Sequence, residues 1–224
     1  GTFGPSRRYL PDVRPLAMAP LTVAGDSGFV LVHEAGSARR VQRILFRGGA
    51  FVLDEHAVTV AMAPTAITVS DLDGDGQEDV LLGGETHDTS LAVVRVDATG
   101  RFLEPLYATG VTRVRSIRVA DFDGDGKNDV VVGRSDPFFS VFPGQGEGRP
   151  GIARNTGKTD GCVPPGAAWP QPAFDAPLGV APLHLDQDGV WDLVITQPVG
   201  RIQTFRGEGD WQFTAAQCVG EGVA

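Results

Sequence analysis

Aspartates occupy alternate positions in the segment DLDGDGQED, residues 71–79. Carboxylates this close together repel one another unless a cation lies among them. Calcium takes six to eight oxygen ligands with flexible geometry, whereas magnesium keeps its waters and zinc prefers His or Cys. We therefore expect a calcium site in this segment, with Gly76 permitting the sharp turn. The expected ligands are Asp71, Asp73, Asp75, Asp79 and the backbone carbonyl of Gln77.

The same pattern returns twice further along the chain. Residues 121–134 read DFDGDGKNDVVVGR, and residues 184–197 read HLDQDGVWDLVITQ. The second calcium site is expected at Asp121, Asp123, Asp125 and Asp129, with Lys127 in the place of Gln77. The third copy keeps Asp186, Asp188 and Asp192. His184 stands at its first position, and His is a poor ligand for a hard cation, so this third site is expected to be weak or empty.

A helix–loop–helix calcium hand also begins with D-x-D-x-D-G, but it requires a glutamate at the twelfth position. The twelfth residue counted from Asp71 is Leu82. The flanking stretches AITVS and DVLLGG are rich in β-branched and apolar residues, as strands are. The acidic segment is therefore predicted to be a loop between two strands.

The recurring unit, D-x-D-x-D-G-x-x-D followed by apolar residues and glycine, resembles the FG-GAP and VCBS repeats. These repeats are known from the integrin alpha headpiece and from many bacterial secreted proteins. Two copies match the pattern fully and one matches it partially. The resemblance implies an all-β fold, a β-propeller of four-stranded antiparallel blades, with calcium between the first two strands of a blade. Recurrence of one unit along a chain is the signature of such repeat folds.

Four blades can be laid out along the chain, and residues 1–224 are predicted to form one propeller-type domain. The predicted blades are 14–55, 64–105, 111–150 and 176–213. The first lacks the acidic cluster and is interpreted as a diverged blade without metal. The 30 Gly and 16 Pro suit many short strands and tight turns. Four blades can form a closed ring, half of a larger ring that a second chain completes, or part of a longer propeller. The chain length favours a single compact unit.

Residues 151–175 are rich in Gly and Pro and are predicted to be a loop insertion without strands. Cys162 lies in this loop, and the only other cysteine is Cys218. In an oxidising compartment we expect a disulfide between them, the alternative being two buried thiols. Trp169 stands among Pro and Ala, and it is the expected ligand contact, the alternative being packing between blades.

Composition limits the classes of function. A net charge of −9 argues against nucleic acid as a partner, because phosphate binding needs a basic face. No stretch approaches the roughly 18 consecutive apolar residues of a membrane span. The four histidines form no metal or catalytic motif, and the sequence contains neither a nucleophile elbow nor a phosphate-binding loop. No reaction can be assigned, and a non-catalytic role is favoured.

Sparse-ligand calcium loops suit the high calcium concentration outside cells, so we expect a secreted protein, extracellular or periplasmic. The resemblance implies a recognition or adhesion module that binds a glycan or a protein at the cell surface. The alternative is an accessory or remnant propeller domain of a secreted enzyme, such as a polysaccharide lyase or a phospholipase. Several titratable side chains in one cleft would favour the enzyme, and an aromatic or polar patch would favour the recognition module.

Overall fold

The computed structural model describes residues 13–23, 26–85, 90–159 and 177–219. These residues form four sheets of four strands each, and every strand pairs with its neighbour in the chain. All the pairings are antiparallel. The predicted all-β class and the four-stranded antiparallel blades are therefore confirmed. A helix of the length and apolar character needed to cross a membrane is not found among these residues.

Each sheet is one blade. Blade 1 contains β1 (Arg14–Val23), β2 (Asp26–Ala35), β3 (Ala38–Arg47) and β4 (Ala50–Val60). Blade 2 contains β5 (Pro64–Ser70), β6 (Asp79–Gly84), β7 (Leu91–Val94) and β8 (Leu106–Ala108). Blade 3 contains β9 (Val114–Ala120), β10 (Asp129–Arg134), β11 (Phe138–Phe142) and β12 (Arg154–Lys158). Blade 4 contains β13 (Gly179–Leu183), β14 (Asp192–Gln197), β15 (Arg201–Gly209) and β16 (Gln212–Val219).

The apolar run after the first acidic loop is strand β6, in which every residue is buried. Successive side chains of a strand point to opposite faces, so an inner strand between two blades must be apolar on both. Val80 and Leu82 pack into the cluster shared with blade 1, and Leu81 packs into the cluster shared with blade 3. The continuous apolar sequence thus reflects burial on both faces of the sheet.

The described residues form three core clusters, one between each pair of consecutive blades. The cluster between blades 3 and 4 is rich in aromatic residues, and the rings of Phe139 and Phe205 meet edge to face with centroids 4.9 Å apart. Trp211 and Phe213 pack against this cluster. The first strands also pack in order, β1 on β5, β5 on β9 and β9 on β13. In the part of the chain that the structure describes, β13 and β1 make no contact of comparable extent.

The blade boundaries differ from the sequence prediction in all four blades. Strand β4 continues past residue 55 to Val60, β8 lies beyond residue 105 at Leu106–Ala108, and β16 continues past residue 213 to Val219. Strand β12 lies inside the segment that was predicted to be a loop without strands, and it pairs with β11. Its sequence, RNTGK, shows no alternation of apolar and polar residues. Strand formation depends strongly on the neighbouring strand, and β12 lies at the edge of its sheet, so its own residues did not indicate a strand. Cys162 and Trp169, in the remainder of the predicted loop, lie outside the described residues.

Candidate metal centre

The loop between β5 and β6 gathers three carboxylates. One oxygen each of Asp71, Asp73 and Asp79 lies within 4.8 Å of the others. Asp79 is fully buried, whereas the other two are partly exposed. The loop between β9 and β10 repeats this arrangement with Asp121, Asp123 and Asp129. These are the only two such groups among the described residues.

The first aspartate of each loop also holds the turn together. Asp71 Oδ1 accepts a hydrogen bond from Gly74 N at 2.7 Å, and its Oδ2 accepts one from Gly76 N at 2.9 Å. Both glycines have positive φ, +77° and +85°, a conformation that other residues rarely adopt. In the second loop Asp121 accepts the equivalent hydrogen bonds at 2.8 and 2.9 Å. The two loops therefore share one conformation, which the D-x-D-G-D-G sequence produces.

The buried aspartate joins three parts of its blade. Asp129 Oδ2 accepts from Phe122 N in the loop at 2.8 Å, and Oδ1 accepts from Gly144 N beyond β11 at 2.6 Å. A Cβ atom at Gly144 would lie 2.4 Å from the carbonyl oxygen of Asn128, so only glycine allows this close approach. Asp79 accepts the matching hydrogen bonds from the loop and from Val96 N. This structural role was not predicted from the sequence.

The other predicted ligands, at residues 75, 77, 125 and 127, do not belong to the two three-carboxylate groups. Asp75 Oδ1 accepts from Gln77 N at 2.7 Å, and Asp75 is not part of the three-carboxylate group. Asp125 accepts from Lys127 N at 2.8 Å and pairs with Lys127 Nζ at 2.9 Å. Hydrogen bonding to this lysine lowers the pKa of the Asp125 carboxyl. The roles of Asp75, Asp125 and the carbonyls of residues 77 and 127 as ligands stay predictions.

The electrostatics of the two groups favour a bound cation. Burial raises the pKa of Asp79 to about 7, and the nearby carboxylates of Asp73 and Asp75 add to this shift. The two backbone hydrogen bonds oppose the shift but do not cancel it. Burial also raises the pKa of Asp129, as it does that of Asp123. A positive ion within reach of these oxygens would favour their ionised forms and reverse the shifts.

The donor set of both loops fits calcium. Each group consists only of carboxylate oxygens, which are hard ligands, and contains no sulfur or imidazole. Two of the three carboxylates in each group are partly exposed, so that an ion can enter from solvent. The nearest lysine in the second loop, Lys127, pairs with Asp125, outside the three-carboxylate group.

The third loop contains a positive charge of its own. Arg206 of β15 lies with Nε 2.9 Å from Asp186 Oδ2, and a terminal nitrogen lies 3.4 Å from Asp188 Oδ2. The His184 ring stacks on Trp191 with centroids 4.1 Å apart. The guanidinium thus lies directly against two carboxylates of the third loop. Sequence analysis missed Arg206 because it lies two strands beyond the loop.

Asp192 keeps the structural role of the buried aspartate in this third loop. It accepts hydrogen bonds from Leu185 N and from Gly207 N, in the same two positions as in the other blades. Arg95 stands before Val96 as Arg206 stands before Gly207, but in blade 2 its terminal nitrogen donates to the carbonyl of Glu147 at 3.0 Å. The third loop therefore resembles the first two in fold and differs from them in its source of positive charge.

The residue before the buried aspartate reaches the preceding blade. Glu78 Oε2 accepts a hydrogen bond from Thr22 N of blade 1 at 2.7 Å. Asn128 Nδ2 donates to the backbone carbonyl of Asp71 in blade 2 at 2.7 Å. In the third loop this position is occupied by Trp191. The three residue types differ and only their position is shared, so no sequence pattern indicated this contact.

Two predicted site residues cannot be placed. Trp169 and Cys162 lie outside the described residues, so the ligand contact and the disulfide stay predictions. Cys218 lies in β16, opposite Gln203 of β15, and its side chain is partly buried.

Comparison with known proteins identifies the repeat. Residues 71–132 match the model of the FG-GAP-like repeat family. This segment contains both complete acidic loops and the strands that follow them. A search of curated protein sequences finds no significant match.

Solved structures share the fold. BBS1N in its complex with ARL6DN is 14% identical with a TM-score of 0.57, over 95% of this chain and 56% of that chain. A lectin from Agrocybe aegerita that recognises non-reducing terminal N-acetylglucosamine is 17% identical with a TM-score of 0.56, over 91% and 52%. The Dos1 propeller is 12% identical with a TM-score of 0.52, over 95% and 49%. The chain thus spans about half the length of these proteins. The four blades and these solved structures show a β-propeller fold, and the family match shows FG-GAP-like repeat sequence within residues 71–132.

Proposed function

We propose that this chain is a calcium-binding propeller domain that serves as a non-catalytic recognition module outside the cell. The observation that carries the calcium assignment is the pair of matching three-carboxylate groups, each with a buried aspartate. Two such groups at equivalent places of consecutive blades are difficult to explain by chance surface acidity. Calcium at each site would supply the positive charge that lets the three carboxylates ionise together.

The charged aspartates of each loop also hold its backbone in place through hydrogen bonds. Asp71 holds the turn through the backbone amides of two glycines, and Asp79 holds the loop to the amide of Val96, next to β7. Ionised carboxylates are stronger acceptors than protonated ones, so both sets of hydrogen bonds strengthen when the carboxylates keep their charge. The loops of blades 2 and 3 would then present a fixed surface, and surface loops on a rigid scaffold commonly carry binding function.

A glycan or a protein is the proposed partner, and the protein is proposed to be secreted. Two proteins of similar structure have such partners: the lectin recognises N-acetylglucosamine, and BBS1N forms a complex with ARL6DN. Extracellular calcium modules bind their ion at about 10⁻⁴–10⁻³ M, which suits exposed loops with few carboxylates. Two calcium ions would offset four of the net nine negative charges, so the surface would remain acidic.

Calcium titration tests the metal assignment. Isothermal titration calorimetry of the intact chain should give two ions per chain, and Asp73→Ala and Asp123→Ala should each remove one. Ligand that binds only the folded form adds stability, so EDTA should lower the melting temperature. If EDTA leaves melting unchanged and no calcium binds, the metal assignment is wrong.

A glycan array probed with the intact chain, with calcium and with EDTA, tests the recognition role. Binding that requires calcium and is reduced in Asp73→Ala would support recognition through the ordered loops. If neither glycans nor cell-surface proteins bind in either condition, the recognition role fails while the calcium assignment stands.

A further inference from the structure

The two acidic loops touch each other through one side chain. The Asn128 amide of the second loop donates to the backbone carbonyl of Asp71, the first aspartate of the first loop, at 2.7 Å. The two residues are 57 positions apart in sequence and belong to different blades. The hydrogen bond is partly buried, so water competes with it less than at an exposed site.

Both residues of this hydrogen bond lie at a three-carboxylate group. Asp71 belongs to the first group, and Asn128 is adjacent in sequence to Asp129 of the second. Asn128 is followed by Asp129, whose two oxygens are held by the amides of Phe122 and Gly144. Asp71 carries the carboxylate that holds the glycine turn of the first loop. A change that fixes the backbone at residue 128 therefore fixes the position of the Asp71 carbonyl, and the reverse also holds.

We infer that Asn128 is a positioning residue that couples the two metal sites, so that calcium in one loop raises the affinity of the other. This inference rests on the proposed calcium binding. An ion that orders one loop leaves less disorder for the second ion to remove, and such coupling acts equally in both directions. One hydrogen bond of this kind sets a coupling of roughly 3- to 10-fold in affinity.

The equivalent positions of the other loops explain why this coupling is specific to Asn128. Glu78 contacts Thr22 in blade 1, and the described part of that blade contains no three-carboxylate group. Trp191 packs edge-on against Phe122, with ring centroids 6.5 Å apart, and in its own loop Arg206 pairs with two of the carboxylates. Among the loops that the structure describes, only the contact made by Asn128 joins two that both have a complete acidic group.

Calcium binding to Asn128→Ala provides the test. For the wild-type chain, a coupling of this size gives a Hill coefficient of about 1.3–1.5 for two sites. Asn128→Ala should still bind two ions, with a Hill coefficient of 1. The matched control, Glu78→Gln, alters the equivalent residue of the first loop and should retain the wild-type Hill coefficient.

A double-variant comparison separates coupling from a general structural effect. Asp123→Ala disables the second site, and Asn128→Ala should then have no further effect on calcium affinity at the first site. With the second site intact, the same substitution should weaken the first site by roughly 3- to 10-fold. Equal weakening in both backgrounds, or two independent ions in the wild-type chain, would overturn the coupling alone. If the wild-type chain binds no calcium, the proposed function fails as well.

Discussion

The stabilisation that calcium provides should depend on pH, because a proton and the ion compete for Asp79. Without the ion, burial raises the pKa of this carboxyl from 3.8 to about 7. The folded state then binds more protons than the unfolded state between these two values. The unfolding free energy of the calcium-free protein therefore falls as pH rises from about 4 to about 7. The calcium-bound site keeps Asp79 ionised and does not share this loss.

The magnitude follows from the pKa. At pH 5, about two units below the pKa of Asp79, a proton must leave, and the apparent calcium affinity of the first loop falls about 100-fold. Calcium at 100 times the pH 8 dissociation constant adds about 2.7 kcal/mol at pH 8. The same concentration adds about 0.4 kcal/mol at pH 5. For a domain of this size, the difference of about 2.3 kcal/mol corresponds to about 5–9 °C in melting temperature.

Melting curves with calcium and with EDTA, at pH 5 and pH 8 and at matched ionic strength, measure this difference. Asp79→Asn is the matched variant, because it has no proton to release and its side-chain oxygen keeps one of the two hydrogen bonds that Asp79 accepts. Its calcium-induced shift should change less between the two pH values than that of the wild type. The residual change reports the second loop, where burial also raises the pKa of Asp129.

One outcome would refute the electrostatic reasoning. If calcium raises the melting temperature by the same amount at pH 5 and pH 8, the ion does not compete with a proton on a buried carboxylate. The first loop would then bind its ion without Asp79, or would not bind it at all. The Asp73→Ala variant separates these cases, since it would reduce the calcium effect in the first and leave it unchanged in the second.

The third loop provides two further predictions. Asp192→Ala should destabilise the protein by about 2–4 kcal/mol in urea unfolding, with or without calcium, because one buried and one partly buried backbone amide lose a charged acceptor. Asp188→Ala, which removes an exposed ion pair and an exposed hydrogen bond from Val190 N, should change the unfolding free energy by less, about 1 kcal/mol. The double variant His184→Asp with Arg206→Ala restores the acidic pattern and removes the internal cation, so calorimetry should give a third calcium ion. A stoichiometry that stays at two would show that the arginine is not what replaces the ion.

Residue type and spacing were enough to predict the acidic loops and the strands around them. In D-x-D-G-D-G each hydrogen bond of the turn joins residues at most five positions apart, so the local sequence contains all the partners. The apolar run after each of the first two loops likewise indicated a strand that is buried on both faces of its sheet. Strand β12 could not be found in this way, because RNTGK becomes a strand only by pairing with β11.

The sequence by itself determined the repeat, the blade architecture and the positions where carboxylates accumulate, since all three depend on contacts within one repeat. Only the tertiary structure decided which residues of other strands and blades contact the acidic loops. Arg206 reaches the third loop from β15, and Asn128 joins two blades through residues 57 positions apart. Both contacts exist because the blades stack side by side, and a pattern within a single repeat contains no information about the neighbour against which it packs.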